Sequence, residues 1–345
     1  MHPRIRWGIA ATGNIANVFA RELALLPDHE VVAVGSRNLD RARAFAQEWG
    51  VRRAYGSYSE VADDPEVDVL YIATPHSDHL ATARHAIESG TAVLCEKALT
   101  VNAHEARELV ALARERQVFL MEAMWMRCNP LHLRLRELLA GGALGEPRSL
   151  NATLGFLADY DPTGRLFAPD LAGGALLDVG VYPVSLAHHL FGAPATVQAT
   201  ATLTSSGVDG TVGMLLGYDT GAVATLTGSL TGPLPNAAYV SGTEGWVELP
   251  PDFQAVDRLL VHRPGKDPEE YAVELLGVGY TYEAAEVARC LRAGLLESPL
   301  VSWADSIAVM EVLDAVRAQI GVRYPNDAAY DDLATPASDA SDSQR

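Results

Sequence analysis

Residues 5–16 constrain this chain more than any other segment. Ile5-Arg6-Trp7-Gly8-Ile9-Ala10 reads as a strand. It runs at once into Ala11-Thr12-Gly13-Asn14-Ile15-Ala16, where a helix begins with apolar residues at Ile15, Val18, Phe19 and Leu23. A strand that enters a helix through small residues lets backbone N–H groups approach whatever lies against the turn, and a helix N-terminus favours anions there. Gly8-x-Ala10-x-x-Gly13 is a dinucleotide fingerprint with alanine at its middle glycine. A tight strand–helix turn without a ligand would use the same residues, so the surroundings must decide.

The surroundings favour the dinucleotide. Apolar strand patterns at 31–35, 67–74, 92–95 and 118–121 alternate with helical ones at 39–49, 79–89 and from Asn102 onward. Gly90 stops the second of these helices, and Asn102 with Glu105 forms a capping-box pattern. Such alternation predicts a parallel sheet with right-handed crossovers. After residue 124 the texture changes. A helix at 130–140 is followed by short Thr-, Val-, Leu- and Gly-rich segments at 150–156, 197–203, 213–218, 222–230, 245–249 and 259–262, which predict an antiparallel sheet. Helices are expected at 175–190, 282–293 and 305–319. The fold class is therefore α/β: an N-terminal Rossmann-type doubly wound parallel sheet, plus a C-terminal α+β domain with a large, mostly antiparallel open sheet. We divide the chain into a dinucleotide domain (1–123), a substrate-binding and dimerisation domain (124–302), a C-terminal helix returning to the first domain (303–325), and an Asp-, Ser- and Ala-rich tail (326–345) expected to be disordered.

Charge narrows the partners. The net charge of −18 opposes phosphate backbones and anionic lipid, so neither nucleic acid nor membrane is expected. An anionic cofactor must then be held by local groups. Cys95, Cys128 and Cys290 are odd in number and fit no zinc or disulfide spacing, which suits reduced thiols in a cytoplasmic protein. No secretory leader pattern and no membrane-length apolar run is read from the sequence.

Three places carry candidate chemistry. After the second strand stands Ser36-Arg37, where NAD binders usually place a carboxylate; Arg37 offers a fork for a 2′-phosphate, which favours NADP, with NAD as the alternative if Asn38 handles a ribose hydroxyl. Glu96-Lys97-Ala98 follows the strand at 92–95, and strand carboxyl ends face the ligand crevice. Lys97 is one of only two lysines; a plain solvent-facing lysine is the competing view. In Gly173-Gly174-x-x-x-Asp178-x-Gly180-x-Tyr182, Asp178 and Tyr182 share a helical face, either towards a pocket or as a dipole partner beside a buried tyrosine. Trp125 and Arg127 suit either the substrate cleft or domain packing. Phe156 heads a loop that would cover the site, and His76 is placed to reach the cofactor cleft. His188 and His189 read as helix-surface or core residues. No metal-ligand spacing is present, and hydride transfer needs none.

Together these residues resemble the glucose–fructose oxidoreductase / inositol dehydrogenase (Gfo/Idh/MocA) family. The likeness rests on the Gly8–Gly13 turn, Ala73-Thr74-Pro75-x-x-x-His79, Glu96-Lys97-Ala98, Glu122-Ala123-Met124-Trp125 and the Gly173–Tyr182 run, and it spans about residues 4–325. It implies NAD(P)-linked redox chemistry on a sugar, polyol or cyclic diol. Gly8, Ala10, Thr12, Gly13, Asn14, Ile15, Ser36, Arg37, Thr74, Pro75, His76, His79, Glu96 and Lys97 would then hold the cofactor. Lys97 and Tyr182 would form the acid–base pair, either one as the base, with Lys97 lowering the phenol's pKa. Asp178 would orient substrate beside Trp125, Arg127 and Phe156. The family's Glu-Lys-Pro is Glu-Lys-Ala here. Tyr182, where many members carry histidine, resembles the branch of dimeric dihydrodiol dehydrogenases and NADP-dependent xylose dehydrogenases, which implies a homodimer through the open sheet. An aldose–aldose oxidoreductase with tightly held NADP is the alternative activity. A non-catalytic dinucleotide sensor is the reading from another class, which the presence of Lys97, Asp178 and Tyr182 disfavours.

Overall fold

In the computed structural model, which describes residues 4–329, β1 (Ile5–Ala10), α1 (Asn14–Leu23), β2 (His29–Gly35), α2 (Leu39–Trp49), β3 (Arg53–Tyr55), α3 (Tyr58–Ala62), β4 (Val69–Ile72), α4 (His79–Glu88), β5 (Ala92–Glu96), α5 (Ala103–Arg116) and β6 (Leu120–Ala123) follow in turn. The strands form one parallel sheet in the order β3-β2-β1-β4-β5-β6. β4 and β5 are buried at every residue, which is why they read as continuous apolar runs rather than alternating ones. The order reverses between β1 and β4, so the crevice of the sheet opens at the carboxyl ends of β1, β4 and β5. β3 and α3 escaped the sequence reading because three and five residues carry too little periodicity to register. Asn102 does cap α5, accepting from the Glu105 amide, but the Glu105 carboxylate turns to the Val101 amide instead of reciprocating.

The second half comprises α6 (Pro130–Ala140), β7 (Pro147–Gly155), a π-helical turn (Leu176–Gly180) leading into α7 (Val181–Phe191), then β8 (Thr196–Leu203), β9 (Asp209–Gly217), β10 (Val223–Ser229), β11 (Ala238–Gly242), β12 (Trp246–Leu249), β13 (Arg258–His262), β14 (Glu269–Ala272), α8 (Tyr280–Arg292) and α9 (Trp303–Ile320). The sheet runs β14-β13-β12-β11-β7-β10-β9-β8, antiparallel except for the β7–β10 ladder. One face packs beneath the π turn and α7. The other presents Leu215, Thr225, Asn151, Tyr239 and Glu248 in one cross-strand row, with Val223 and Trp246 beside it. Segment Pro169–Phe191 is long and apolar enough to cross a membrane, yet 89 % of its apolar window lies buried within this fold.

α9 packs against α5, α7 and β8 together, so it bridges the two sheets. Ser306 donates to Glu122 (2.7 Å), and the Trp303 indole N–H to the Leu120 carbonyl (2.9 Å). Residues 326–329, expected to open a disordered tail, are ordered. Pro325–Ala329 forms a 3₁₀ turn, tied down by Arg317 donating to Asp327 (2.7 Å) and by Asn326 donating to Glu105 (3.0 Å). The remainder of that segment, 330–345, lies outside the described residues.

Candidate active site

A cleft of about 1170 Å³ runs from the β1–α1 turn to the ends of β5 and α7. Its first end is backbone. α1 starts after Gly13 with no side chain capping it, as do α4, α7 and α8, whereas α2, α5, α6 and α9 are capped by Asn38, Asn102, Asn129 and Ser302. The free N–H groups of α1 therefore face the cleft, which Ala11, Thr12, Gly13, Asn14 and Ile15 line. A Cβ built on Gly13 would meet no protein atom within 4 Å. Nothing in the chain itself requires glycine there, but a pyrophosphate against the backbone would. The turn thus fits a dinucleotide.

Two fingerprint residues behave otherwise than expected. Gly8 and Ala10 lie inside β1, away from the cleft. A Cβ at Gly8 would press on Val67 (3.0 Å) and Leu70 (3.2 Å), so that glycine serves strand packing. The strained position is Ala11, at φ 95°, so the alanine in glycine's place is the one at 11 and not at 10. At the far end of this half, Ser36 accepts from the Asn38 amide (3.2 Å) and Arg37 pairs loosely with Asp78 (3.3 Å). Arg41, unanticipated, stands in the first turn of α2, lines the cleft, and makes no ion pair among the described residues. The signal for it was a basic residue in the first turn of the helix that follows the second strand, where a helix N-terminus favours anions.

The middle of the cleft is braced by two histidines. His79 sits between the Thr74 and Ala98 carbonyls (both 3.0 Å), and His76 between those of Ala172 (3.0 Å) and Lys97 (3.2 Å). Burial keeps His76 neutral, with its pKa pushed down to about 3. Both rings grip the Lys97–Ala98 segment, whose peptide bond is cis. Thr74, Pro75 and Glu96 line the same wall. Glu96 is buried, accepts from the Tyr71 phenol and the Lys97 amide, and has its carboxyl pushed up by burial.

At the other end Lys97, Asp178 and Tyr182 come together. Lys97 Nζ donates to the Asp178 carbonyl oxygen (2.8 Å), lies 3.6 Å from its carboxylate, and sits 5.2 Å from the centre of the Tyr182 ring. Arg165 pairs with the same carboxylate (2.8 Å). Burial alone would push the Asp178 carboxyl up, but the two cations outweigh it and hold the group ionised, well below the usual range. Tyr182 differs from the sequence expectation. Burial, then the nearby Glu96, pushes its phenol well above the ordinary value, and Lys97 pairs its charge with the Asp178 carboxylate. The indole N–H of Trp125 donates to the Tyr182 oxygen at 2.9 Å.

Phe156 lines the mouth of the cleft as expected, and Trp125 its floor. Arg127 does not reach it. The 3₁₀ turn Trp125–Cys128 points the two side chains to different places: Arg127 is buried against Asp305 (3.1 Å), beside a separate cavity lined with His188 and His189. Leu154, Arg165, Asn236, Gln254 and Tyr280 also face the cleft. All but Leu154 come from loops or element ends, where periodicity carries no information.

Comparisons with known proteins give the family. The family model described as "Oxidoreductase family, NAD-binding Rossmann fold" matches residues 5–124, and the GFO/IDH/MocA C-terminal domain matches residues 132–248. Trans-1,2-dihydrobenzene-1,2-diol dehydrogenase of Mus musculus is 43 % identical over 335 residues, covering 94 % of this chain and 99 % of the relative. The enzyme of that name from Homo sapiens is 41 % identical over 333 residues, with coverage of 94 % and 99 %. A 3-ketoreductase from Actinomadura kijaniata, solved in complex with NADP and TDP-benzene, superposes with a TM-score of 0.81 at 27 % identity, over 92 % of this chain and 98 % of that one. Aldose–aldose oxidoreductase from Caulobacter crescentus shares the fold with a TM-score of 0.83, at 24 % identity, over 92 % and 97 %. The chain belongs to the Gfo/Idh/MocA oxidoreductase family, with the NAD-binding Rossmann domain and the C-terminal domain of that family in a single polypeptide.

Proposed function

We propose that this chain is an NADP(H)-dependent oxidoreductase acting on a CH–OH group, or its carbonyl, of a sugar, polyol or cyclic diol. The observation that carries the reading is the meeting of Lys97, Asp178 and Tyr182 at the end of a cleft that begins at an uncapped helix N-terminus. The names of the relatives support the substrate class, since dihydrodiol dehydrogenases and a ketoreductase both act on hydroxyl–carbonyl pairs. Arg37 and Arg41, with no carboxylate at the end of β2, support the 2′-phosphate of NADP.

Thr12, Gly13, Asn14 and Ile15 would hold the dinucleotide, which when bound would supply the hydride chemistry between a carbonyl carbon and its alcohol. The residues of the chain handle the proton. Tyr182, held protonated, donates its hydroxyl hydrogen to the carbonyl oxygen in reduction. The phenolate left behind is held by the Trp125 N–H, with the Lys97 ammonium 5.2 Å from the ring centre, and in oxidation it takes the proton back. Asp178, ionised and fixed by Lys97 and Arg165, accepts hydrogen bonds from substrate hydroxyls. Residues 1–123 act as the cofactor unit and 124–302 as the substrate unit. The open sheet face bearing Leu215, Val223, Tyr239 and Trp246 fits a homodimer interface. The three unpaired, buried cysteines fit a cytoplasmic setting.

The test is a screen of aldoses, polyols, cyclic diols and ketosugars by NADPH absorbance, with NAD(H) in parallel and Tyr182→Phe as control. Turnover with NADP(H) that disappears in the variant is expected. Dinucleotide binding without turnover of any of these, or a fully active Tyr182→Phe, would overturn the reading.

A further inference from the structure

The Trp125–Tyr182 contact is more specific than a lining residue requires. An indole N–H is a donor with no acceptor capacity. At 2.9 Å it occupies one lone pair of the Tyr182 oxygen. The phenol's own hydrogen finds no acceptor among the described residues, so it points to the cleft that Tyr182 lines. This donor strengthens as negative charge grows on the oxygen.

The indole is itself clamped. It is buried (5 % exposed) and stacks on Tyr280, with ring centres 4.5 Å apart at 25°. Behind it, Gly279 adopts φ +116°, and a Cβ there would stand 3.1 Å from the Trp125 ring. The segment carrying Gly279 is fastened to α1. Glu22 accepts from the Val278 amide at 2.8 Å, and Gly277 packs so closely that a Cβ would collide with the Glu22 carboxylate. A continuous path of contacts thus joins the helix that begins at the phosphate turn to the phenol oxygen.

We infer that Trp125 is a positioning residue for Tyr182, aiming its hydroxyl at the substrate and stabilising its phenolate, with Gly279 and Tyr280 holding the indole in place. The inference rests on the proposed acid–base role of Tyr182. The readout is the pH profile of alcohol oxidation. Trp125→Phe keeps an aromatic wall and removes the donor. It should lower kcat about tenfold at neutral pH and raise the apparent pKa of the base by about one unit, with the KM for NADP unchanged. Trp125→His, which restores a ring N–H, should recover part of the loss. Gly279→Ala, which faces no substrate, should give the same signature in weaker form, and it decides the matter if Trp125→Phe fails to fold. Tyr182→Phe run alongside separates the two claims. If it is inactive while Trp125→Phe keeps its kcat and pH profile, or changes only the substrate KM, the positioning role is wrong and the function stands. If it is active, the function reading itself falls.

Discussion

The two ends of the cleft are built on opposite terms. The dinucleotide end uses backbone: an uncapped helix, a glycine with open space above it, and arginines at the rim, Arg37 being 66 % exposed. The reacting end uses side chains with almost no water around them; those of Lys97 and Asp178 are 12 % and 8 % exposed. Exposed charges are screened and contribute little to stability, so the rim can be tuned for a ligand without endangering the fold. Buried charges must be matched, because an unpaired one costs several kcal/mol. That is why the buried carboxylate of Asp178 is matched by the buried Lys97, with the more exposed Arg165 reaching the same oxygen from the rim. The lesson is that affinity and chemistry are separable in this cleft, and variants should separate them.

The largest separation should come from Tyr182→Phe, which removes the transferable proton and nothing the dinucleotide end uses. Turnover should fall by about 10²–10⁴-fold while NADPH binding, read by fluorescence titration, stays as in the parent. A loss of both together would show that the ends are coupled. Arg37→Ala should do the converse: KM for NADPH rises about 10–30-fold, KM for NADH does not move, and kcat is kept. Equal losses with both cofactors would remove the 2′-phosphate from the argument.

Smaller effects probe the scaffold of each end. Asp209 is buried beneath the π turn that carries Asp178, and accepts the Leu176 amide at 2.6 Å. Burial raises its pKa to about 6. A carboxyl whose folded pKa lies above its unfolded value binds more protons when folded, so stability is lost as pH rises from about 4 to about 6 and stays lost above. Asp209→Asn keeps an acceptor for Leu176 and removes that penalty. It should be more stable than the parent by about 1–3 kcal/mol at pH 8 and gain nothing at pH 4, by thermal unfolding at each pH. At the other end, Ala11→Gly relieves a positive φ, partly offset by the freer unfolded chain, for a net gain of up to about 1 kcal/mol. No change in unfolding temperature would mean that the turn bears no strain worth the name.

The cofactor end was legible in the sequence because its information is local. A glycine, a helix start and a strand's carboxyl end lie within a dozen residues, and each is dictated by backbone sterics. Even so, the position at fault in the fingerprint was misplaced by one residue, because φ at Ala10 and Ala11 depends on where the strand ends and not on residue type. The proposed reacting end was legible only as a set of names. Lys97, Asp178 and Tyr182 stood out by motif, but Arg127 stood out equally and turned elsewhere, because a 3₁₀ turn sends neighbouring side chains in different directions.

The strand–helix alternation of the first half and the period-two patterning of the second determined which sheets form, since the hydrophobic effect acts on periodicity along the chain. Residue types likewise determined that a cation, a carboxylate and a phenol were on hand. How each of them is charged and paired was decided in three dimensions. Burial beside Glu96 keeps the phenol of Tyr182 neutral, and Asp178 claims the ammonium of Lys97. Desolvation and charge pairing depend on distances between residues 81 or more positions apart in the chain, and only the folded packing sets those distances.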